Sequence, residues 1–214
     1  MKIATIIVTR SQSCHVKTLH TILRFNIECI RSGDVQNEVA FVNDDPYEKS
    51  DKIHAFLKTH DRIFFVDFGV QVDEESLKFV LAKNDGYGAV VFPGVVEGIN
   101  WDTFAKKVRE GSTEPPGQMG LEFDTEVIAK VADNIHTVKT TSAKSWVLMT
   151  GRVLKSIRDK RTGTYKIHPK SNVMFAKFKE FGVRIVAFTA ANLIHTYSHE
   201  CIGNIINSTG VKAT

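Results

Sequence analysis

Arg62-Ile63-Phe64-Phe65-Val66-Asp67-Phe68-Gly69 is the stretch of sequence from which the fold can be inferred. A continuous run of bulky apolar residues that ends in turn residues is typical of a β-strand buried on both faces. The run stops at Asp67, and open α/β sheets bind ligands at the carboxyl ends of such strands. Asp67 is therefore a candidate functional residue. The structural alternative is that it only caps the turn that follows.

Strand-like and helix-like segments alternate on both sides of this stretch. Further strands are predicted at residues 2–8, 38–42, 88–93, 135–139, 145–150 and 183–188. Helices are predicted at residues 16–30, 53–57, 73–81, 101–109, 152–157 and 171–181. Strands that alternate with helices through short loops predict an α/β fold, with a central, mostly parallel mixed sheet flanked by helices.

Two helix starts and one helix face can be predicted in detail. Ser13 is suited to cap the first helix, and Ser50 the second. The apolar side chains that recur at helical spacing in the first helix, and that we expect to face the core, are Val16, Leu19, Ile22, Leu23, Ile27 and Ile30.

The composition is that of a soluble globular protein. The chain has 214 residues, of which 43% are apolar and 24% charged, with a net charge of +4. Lysine and arginine are scattered and form no basic stripe among aromatic residues, which argues against a nucleic-acid partner. No stretch is long enough for a membrane span. Attraction to a small phosphorylated ligand accounts equally well for the positive charge.

The three cysteines favour a reducing compartment. Cys14, Cys29 and Cys201 are scattered and form no C-x-x-C pair, so we expect no disulfide framework and a cytoplasmic location. One core is expected over residues 1–206. Residues 207–214 are small and polar and are interpreted as a tail or linker.

Polar side chains follow three predicted strands at the point where each strand ends. They are Thr9-Arg10, Asn43-Asp44 and Asp67. In a doubly wound sheet these ends lie along one edge and can line a single crevice, where Arg10 could pair with a phosphate or stack on a base.

The chain has neither G-x-G-x-x-G nor a P-loop, so phosphates would be held by a divalent metal and a cation. Asp67-Phe68-Gly69 matches the kinase magnesium motif, but the other kinase motifs are missing.

His195 is a candidate metal ligand because it follows the last predicted strand at the same edge as Asp67. A carboxylate and an imidazole suit Mn²⁺, with water and ligand phosphates in the remaining positions. His199, four residues later, is interpreted as a structural histidine.

Glu122 and Asp124 follow a Gly- and Pro-containing segment at residues 111–120 that is the best candidate for a mobile loop. Both acids are candidates for acceptor binding, and Asp124 is the candidate catalytic residue. The structural alternative is that they cap a helix near Val127.

Taken together, these residues resemble nucleotide-sugar glycosyltransferases of the GT-A fold. The first strand ends in Val8-Thr9-Arg10, the second in an acidic turn at Asn43-Asp44, and the third in Asp67, which matches the first acid of the family's D-x-D motif. Residues 145–154 are similar to the strand and helix that shape the sugar pocket. Residues 182–195 are similar to the segment that ends in a metal-binding histidine. The chain is most similar to the small glycosyltransferase domains encoded by chlorella viruses.

The resemblance implies a single GT-A-like domain, with a nucleotide half at residues 1–100 and an acceptor half at residues 101–206. It implies a metal-dependent enzyme that moves a hexose from a UDP-sugar to a glycan or glycoprotein acceptor, including a viral capsid protein in the cytoplasm of a host cell. Asp67 and His195 would bind Mn²⁺, which neutralises charge developing on the leaving diphosphate. Residues implied to hold the nucleotide are Thr9, Arg10, Asn43 and Asp44.

Two departures from the family pattern affect these expectations. Gly69 replaces the second acid of the D-x-D motif, so other groups must compensate in binding the metal. Ser171-Asn172 stands where inverting members often carry a Glu-Asp pair, which favours a retaining mechanism.

Two alternative functions stay open. A sugar nucleotidylyltransferase would need a Gly-rich, basic signature after the first strand, which Ser11-Gln12-Ser13 does not provide. A non-catalytic module that binds nucleotide or carbohydrate is compatible with the incomplete D-x-D motif.

Overall fold

The structure is a computed structural model that describes residues 1–83, 86–157 and 167–195. Its strands are β1 (Lys2–Thr9), β2 (Gln36–Asn43), β3 (Arg62–Val66), β4 (Val70–Gln71), β5 (Ala89–Phe92), β6 (Thr125–Ala132), β7 (Ile135–Thr141), β8 (Ser145–Met149), β9 (Ile185–Phe188) and β10 (Ile194–His195). Its helices are α1 (Val16–Ser32), α2 (Pro46–Leu57), α3 (Glu74–Leu81), α4 (Trp101–Arg109), α5 (Pro116–Met119), α6 (Thr150–Ile157) and α7 (Ser171–Glu180).

Eight of these strands form one mixed sheet in the order β2-β1-β3-β8-β5-β9-β7-β6. β1 is parallel to β2 and β3, and β5 is parallel to β9. β8 is inserted antiparallel between β3 and β5, and β7 is antiparallel to β9. The predicted fold class, an α/β fold with a mostly parallel mixed sheet flanked by helices, is confirmed.

The core lies on both faces of the sheet, because successive side chains of a strand point to opposite sides. In β3, Ile63 and Phe65 face α2, α6 and α7, whereas Phe64 and Val66 face α1 and α3. Phe65 stacks on Trp146 of the neighbouring β8 with ring centroids 4.6 Å apart. The fully buried β3 agrees with the continuous apolar run from which it was predicted.

The turn after β3, residues 67–72, is held by two buried threonines of α1. The Thr18 hydroxyl accepts a hydrogen bond from the Gly69 N–H at 3.0 Å and donates to the Asp67 carbonyl at 3.4 Å. The Thr21 hydroxyl accepts from the Val72 N–H, also at 3.0 Å. Because these hydroxyls satisfy buried backbone groups, they fix both the turn and the rotation of α1 about its axis.

This rotation makes the predicted core face of α1 wrong. Apart from Ile22, the apolar residues expected to be buried are exposed. The helix buries instead the face that carries Thr18, Thr21, Ile22, Phe25, Glu28 and Cys29. The apolar pattern did not reveal this face because two of its contacts are hydrogen bonds to a turn that lies about 50 residues further along the chain.

Three local predictions also need correction. His15, and not Ser13, caps α1, because the Ser13 hydroxyl donates to the Arg10 carbonyl. Asp45 caps α2, which begins four residues before Ser50. The helix expected near Val127 is strand β6, which pairs with β7 across a two-residue turn.

Some predictions concern residues outside the described ranges. They are those on His199, on Cys201 and on the tail at residues 207–214. Among the described residues, no helix is both long enough and apolar enough to cross a membrane.

We expect Thr18→Val to lower the free energy of unfolding by about 1–3 kcal/mol, because it leaves the buried Gly69 N–H without its acceptor. Urea unfolding measures the change. Thr113→Val, at an exposed position, is the matched control and should change stability by less than about 0.5 kcal/mol. Equal effects of the two substitutions would show that the threonine does not hold the turn.

Candidate functional site

The ends of β1, β2 and β3 lie side by side at one edge of the sheet. The register places Thr9 of β1 opposite Asn43 of β2, and β3 flanks β1 on its other side. Because parallel strands end at the same edge, the residues that follow them converge. The structure therefore brings Thr9, Arg10, Asn43 and Asp44 together, as the sequence predicts. Their role in nucleotide binding stays a prediction.

Asp44 lies between two cations at this edge. Arg10 Nε is 2.9 Å from Asp44 Oδ2, and Lys49 Nζ is 2.8 Å from Oδ1. α2 begins two residues after Asp44, so Lys49, the fourth residue of the helix, lies within reach of the Asp44 carboxylate. Burial opposes ionisation of Asp44, but the hydrogen bonds and charges of Lys49 and Arg10 outweigh it and lower the pKa of this carboxyl.

Thr9 and Asn43 fix the strand ends. The Thr9 hydroxyl donates to the Val42 carbonyl at 3.0 Å, which ties β1 to β2. The backbone N–H and the side-chain amide of Asn43 both donate to the Glu48 carboxylate at 3.1 Å. These bonds hold the first turn of α2 against the edge of the sheet.

A pocket of about 390 Å³ opens beside these strand ends. Its volume lies in the range of small-molecule sites. Phe41 is 56% exposed, so its ring is accessible on this side of β2. The lining residues are Thr9, Gln12, Cys14, Phe41, Asn43 and Glu48.

The chain leaves β1 through a tight left-handed turn next to this pocket. Ser11 and Gln12 have φ angles of 48° and 59°, and Arg10 and Ser13 exchange backbone hydrogen bonds of 3.1 and 2.9 Å. Two consecutive positive φ angles define a type I′ turn. Each costs a non-glycine residue about 1–2 kcal/mol, and such strain is concentrated at functional sites.

Asp67 lies at the same edge of the sheet, directly after β3. Its backbone N–H donates to the Lys144 carbonyl at 2.9 Å, and its Oδ1 accepts from the Phe68 N–H at 2.9 Å. Burial raises the pKa of Asp67, while the charges of Lys49 and Lys144 oppose this effect and that of Asp44 adds to it. We call Arg10, Asp44, Lys49 and Asp67 the strand-end cluster.

Phe68 connects the strand-end cluster to the start of α1. The Arg10 guanidinium lies over the Phe68 ring, 4.9 Å from its centroid. The His15 ring meets the same phenyl ring edge-on at 5.4 Å. Phe68 thus packs against both the cation and the cap of the helix, which explains why a phenylalanine follows Asp67.

Asp124 and His195 flank a second point of the crevice, at Gly94. Asp124 Oδ1 accepts from the Gly94 N–H at 3.1 Å and from the Thr125 hydroxyl at 2.8 Å. Asp124 Oδ2 is buried and has no hydrogen-bond partner within the described residues. A Cβ on Gly94 would lie 2.5 Å from His195 Nε2 and 3.2 Å from Asp124 Oδ2, so this approach requires glycine. We call Gly94, Asp124 and His195 the Gly94 niche.

His195 reaches the Gly94 niche because β10 pairs antiparallel with β4, placing His195 opposite Val70. Its Nδ1 lies 3.2 Å from the Val95 carbonyl, which can only accept, so Nδ1 carries the proton. Burial, followed by the charge of Lys144, lowers the pKa of His195 to about 4. Its imidazole is therefore neutral at physiological pH.

Lys144 connects the strand-end cluster and the Gly94 niche. Its charge acts on Asp67, on Asp124 and on His195. Burial raises the pKa of Asp124, and the charge of Lys144 is among the effects that oppose this rise. Lys144 is not among the candidate residues predicted from the sequence. Lys144 directly precedes β8. Because β8 is antiparallel to β3, the start of β8 lies at the edge where β3 ends, and this position could have indicated Lys144.

The predicted metal ligands have different surroundings. Asp67 belongs to the strand-end cluster with its cations, whereas His195 lies against Gly94 and the Val95 carbonyl. In residues 1–83, 86–157 and 167–195, no three His, Cys, Asp or Glu side chains are grouped so that they could hold a metal ion. The assignment of Mn²⁺ to Asp67 and His195 therefore stays a prediction.

A second pocket, of about 450 Å³, begins at Asp124 and extends between β7 and α7. Hydroxyls, an amide and two lysines dominate its polar lining, and Phe175 contributes an apolar wall. The polar residues that line it are Asp124, Lys139, Thr140, Thr141, Ser142, Asn172 and Lys179. Hydroxyl and amide groups of this kind suit a polyhydroxylated ligand.

Comparisons with known proteins do not identify a family. No protein-family model and no curated protein matches the sequence. Among solved structures, the chain is similar to the inositol-1-phosphate CTP transferase from T. maritima over 98% of each chain, with 9% sequence identity and a TM-score of 0.43. At that identity and TM-score the likeness carries no argument about function.

We expect His195 to make the protein less stable in acid. Its pKa is lowered in the fold from 6.5 to about 4, so the unfolded chain binds more protons between these pH values and stability is lost as the pH falls through this window. His195→Gln should reduce that loss by about 1–2 kcal/mol, a value discounted for partial exposure. Urea unfolding between these pH values measures the loss.

The exposed His20 provides the matched control for this measurement. His20→Gln should leave the acid-induced loss of stability as in the wild type. If His195→Gln loses stability with the same slope as the wild type, the buried neutral state assigned to His195 is wrong.

Proposed function

We propose that this chain is a glycosyltransferase that moves a hexose from a UDP-sugar to a glycan acceptor. The observation that carries the proposal is that the charges of Lys49 and Lys144 act on Asp67, while Arg10 lies over the neighbouring Phe68. A pocket of about 390 Å³ opens beside these strand ends. Cations at the strand ends can pair with the charges of a diphosphate. The carboxylate beside them would lie near the reacting end of that diphosphate. The resemblance to chlorella-virus glycosyltransferases supports a glycoprotein acceptor, such as a capsid protein, modified in the cytoplasm of a host cell.

The first pocket would receive the uridine. Phe41 offers a ring face for the base, and the amides of Gln12 and Asn43 offer hydrogen bonds to its edge or to the ribose. The diphosphate would then extend from the pocket toward Arg10 and Lys49, which lie at the adjoining strand ends. A diphosphate would complement the net positive charge that these two cations keep beside the single carboxylate of Asp44.

Asp124 would act on the acceptor side. It borders the second pocket, where its carboxylate would accept a hydrogen bond from an acceptor hydroxyl. The second pocket would hold the acceptor glycan through its hydroxyls and Asn172. Because Asn172 has no titratable proton, it cannot replace a general base, which keeps a retaining outcome favoured.

The proposal includes Mn²⁺ only as an ion that Asp67 and His195 would bind. Asp67 would be the carboxylate ligand contributed by the strand-end cluster, and His195 the candidate nitrogen ligand named by the resemblance. A divalent ion would supply charge stabilisation for the leaving diphosphate. Arg10, Lys49 and Lys144 supply the same kind of stabilisation from the chain itself, so we expect activity to depend on these side chains.

Nucleotidyl transfer is the second candidate function. In this reaction a sugar phosphate attacks the α-phosphate of a nucleoside triphosphate and pyrophosphate leaves. The left-handed turn at Ser11 and Gln12 favours it, because these residues adopt the backbone conformation for which glycine is normally required. The lack of glycine after β1 is therefore a weaker objection than the sequence suggests. The third hypothesis is a non-catalytic binding module. Only this hypothesis predicts that nucleotide binds without formation of a product.

A substrate panel separates these three functions. We expect UDP to be released from a UDP-sugar in the presence of Mn²⁺ and an acceptor glycan. Release of pyrophosphate from CTP or UTP with a sugar phosphate would establish nucleotidyl transfer instead. Nucleotide binding without either product would leave the binding module.

Two variants test the residues that carry the proposal. Asp67→Asn and Lys144→Met should each lower kcat about 100-fold. The first removes the carboxylate proposed to hold the divalent ion, and the second removes a cation beside the reacting diphosphate. Lys130→Met, at an exposed position in β6, is the matched control and should retain activity. Wild-type rates for both site variants, with either set of substrates, would refute the location of the site.

Phe41 tests where the base binds. Phe41→Ala should weaken the binding of UDP about tenfold, since loss of aromatic stacking on a base costs about 1–3 kcal/mol. Isothermal titration calorimetry measures the affinity. Phe181→Ala removes a similarly exposed ring at the end of α7 and should leave the affinity unchanged. If both variants bind UDP as tightly as the wild type, the base does not bind in the first pocket.

A further inference from the structure

The outer face of α1 carries a continuous apolar stripe. Its side chains recur every three or four residues and therefore lie on one side of the helix. Their exposed fractions range from 43% for Leu19 to 78% for Ile30. We call these residues the α1 stripe: Val16, Leu19, Leu23, Ile27 and Ile30.

The α1 stripe adds nothing to the core, because α1 already packs on the sheet through its opposite face. The hydroxyls of Thr18 and Thr21 hold that face inward. Five large aliphatic side chains in a row, exposed along four helical turns, differ from the isolated apolar residues that a protein surface ordinarily carries. A surface of this kind marks a contact with another apolar phase.

The charge beside the α1 stripe is positive. Arg24 and Arg31 are exposed on the same helix, on one flank of the stripe. The helix has one carboxylate, Glu28, which is buried and paired with Arg31 at 2.6 Å. Glu74 of α3 lies near Arg24 and Arg31, but it is hydrogen-bonded to Lys78 at 2.6 Å. The exposed face of α1 thus combines aliphatic side chains with a cationic border.

We propose that the α1 stripe docks onto the anionic surface of a lipid bilayer. Basic residues beside an aliphatic helix face complement anionic headgroups, while the aliphatic side chains enter the acyl boundary. Arg24 can extend its guanidinium to lipid phosphates while its stem lies on the apolar layer. The occupant assigned to the stripe is therefore an anionic lipid, and the helix lies on the membrane without crossing it.

Two observations disfavour a protein as the occupant. The stripe is a convex helix face made of Val, Leu and Ile, without the Trp, Tyr, Met or Phe that enrich protein interfaces. In an antiparallel pair of α1 helices, the basic flank of each helix would meet the basic flank of the other, which is repulsive. This proposal is independent of the proposed function, so either can fail alone.

Vesicle flotation of the full chain tests the proposal. We expect association with vesicles of phosphatidylcholine and phosphatidylserine, and weaker association with phosphatidylcholine alone. The double variant Leu23→Glu/Ile27→Glu should lose association by about tenfold or more, since it places charge in the acyl boundary. Arg24→Gln should lower association with the anionic vesicles about fivefold.

The double variant Ile128→Glu/Val131→Glu is the matched control, because it adds the same charges to exposed apolar positions of β6. It should bind vesicles as the wild type does, and circular dichroism should show that all variants are folded. Failure of the wild type to bind, equal binding to both lipids, or wild-type binding by the stripe variant would overturn the proposal. Sedimentation velocity that shows a dimer abolished by the stripe variant would assign the stripe to self-association instead.

Discussion

The turn at residues 67–72 determines most of what distinguishes this molecule. It begins with Asp67, the acid of the strand-end cluster, and its middle residues form β4, which pairs with β10 and thereby places His195. The buried backbone N–H groups of Gly69 and Val72 are satisfied by Thr18 and Thr21 of α1. A buried N–H without a partner is costly, so the turn and the helix must be oriented together. The two parts of the crevice therefore share one structural support.

Electrostatics within the crevice follow from burial opposed by a few cations. Burial alone raises the pKa values of Asp67 and Asp124, and Lys144 acts against both effects from the start of β8. His195 is kept neutral by the same burial and by the same lysine. An anionic ligand near Lys144 would therefore raise the pKa values of both acids further.

The parts of the fold that follow from local pattern could be predicted from the sequence, and those that depend on distant partners could not. Apolar runs revealed β1, β3, β5, β8 and β9, and the rule that parallel strands end together placed Asp44 beside Arg10. The rotation of α1 depends on a turn about 50 residues away, and the contribution of Lys144 depends on an antiparallel strand inserted between two others. Strand β6 was mistaken for a helix because it is exposed along most of its length and shows little apolar alternation.

One face of α1 stabilises the fold, and the opposite face is exposed at the surface. Thr18 and Thr21 are polar residues that stabilise the interior, whereas Leu23 and Ile27 are apolar residues in contact with water. Substitution of the threonines acts on the turn and on Asp67, but substitution of the aliphatic residues removes no buried contact. Exposed Leu and Ile side chains contribute little to folding. The apolar side of α1 must therefore be explained by what it contacts outside the chain, and the polar side by the turn that it holds.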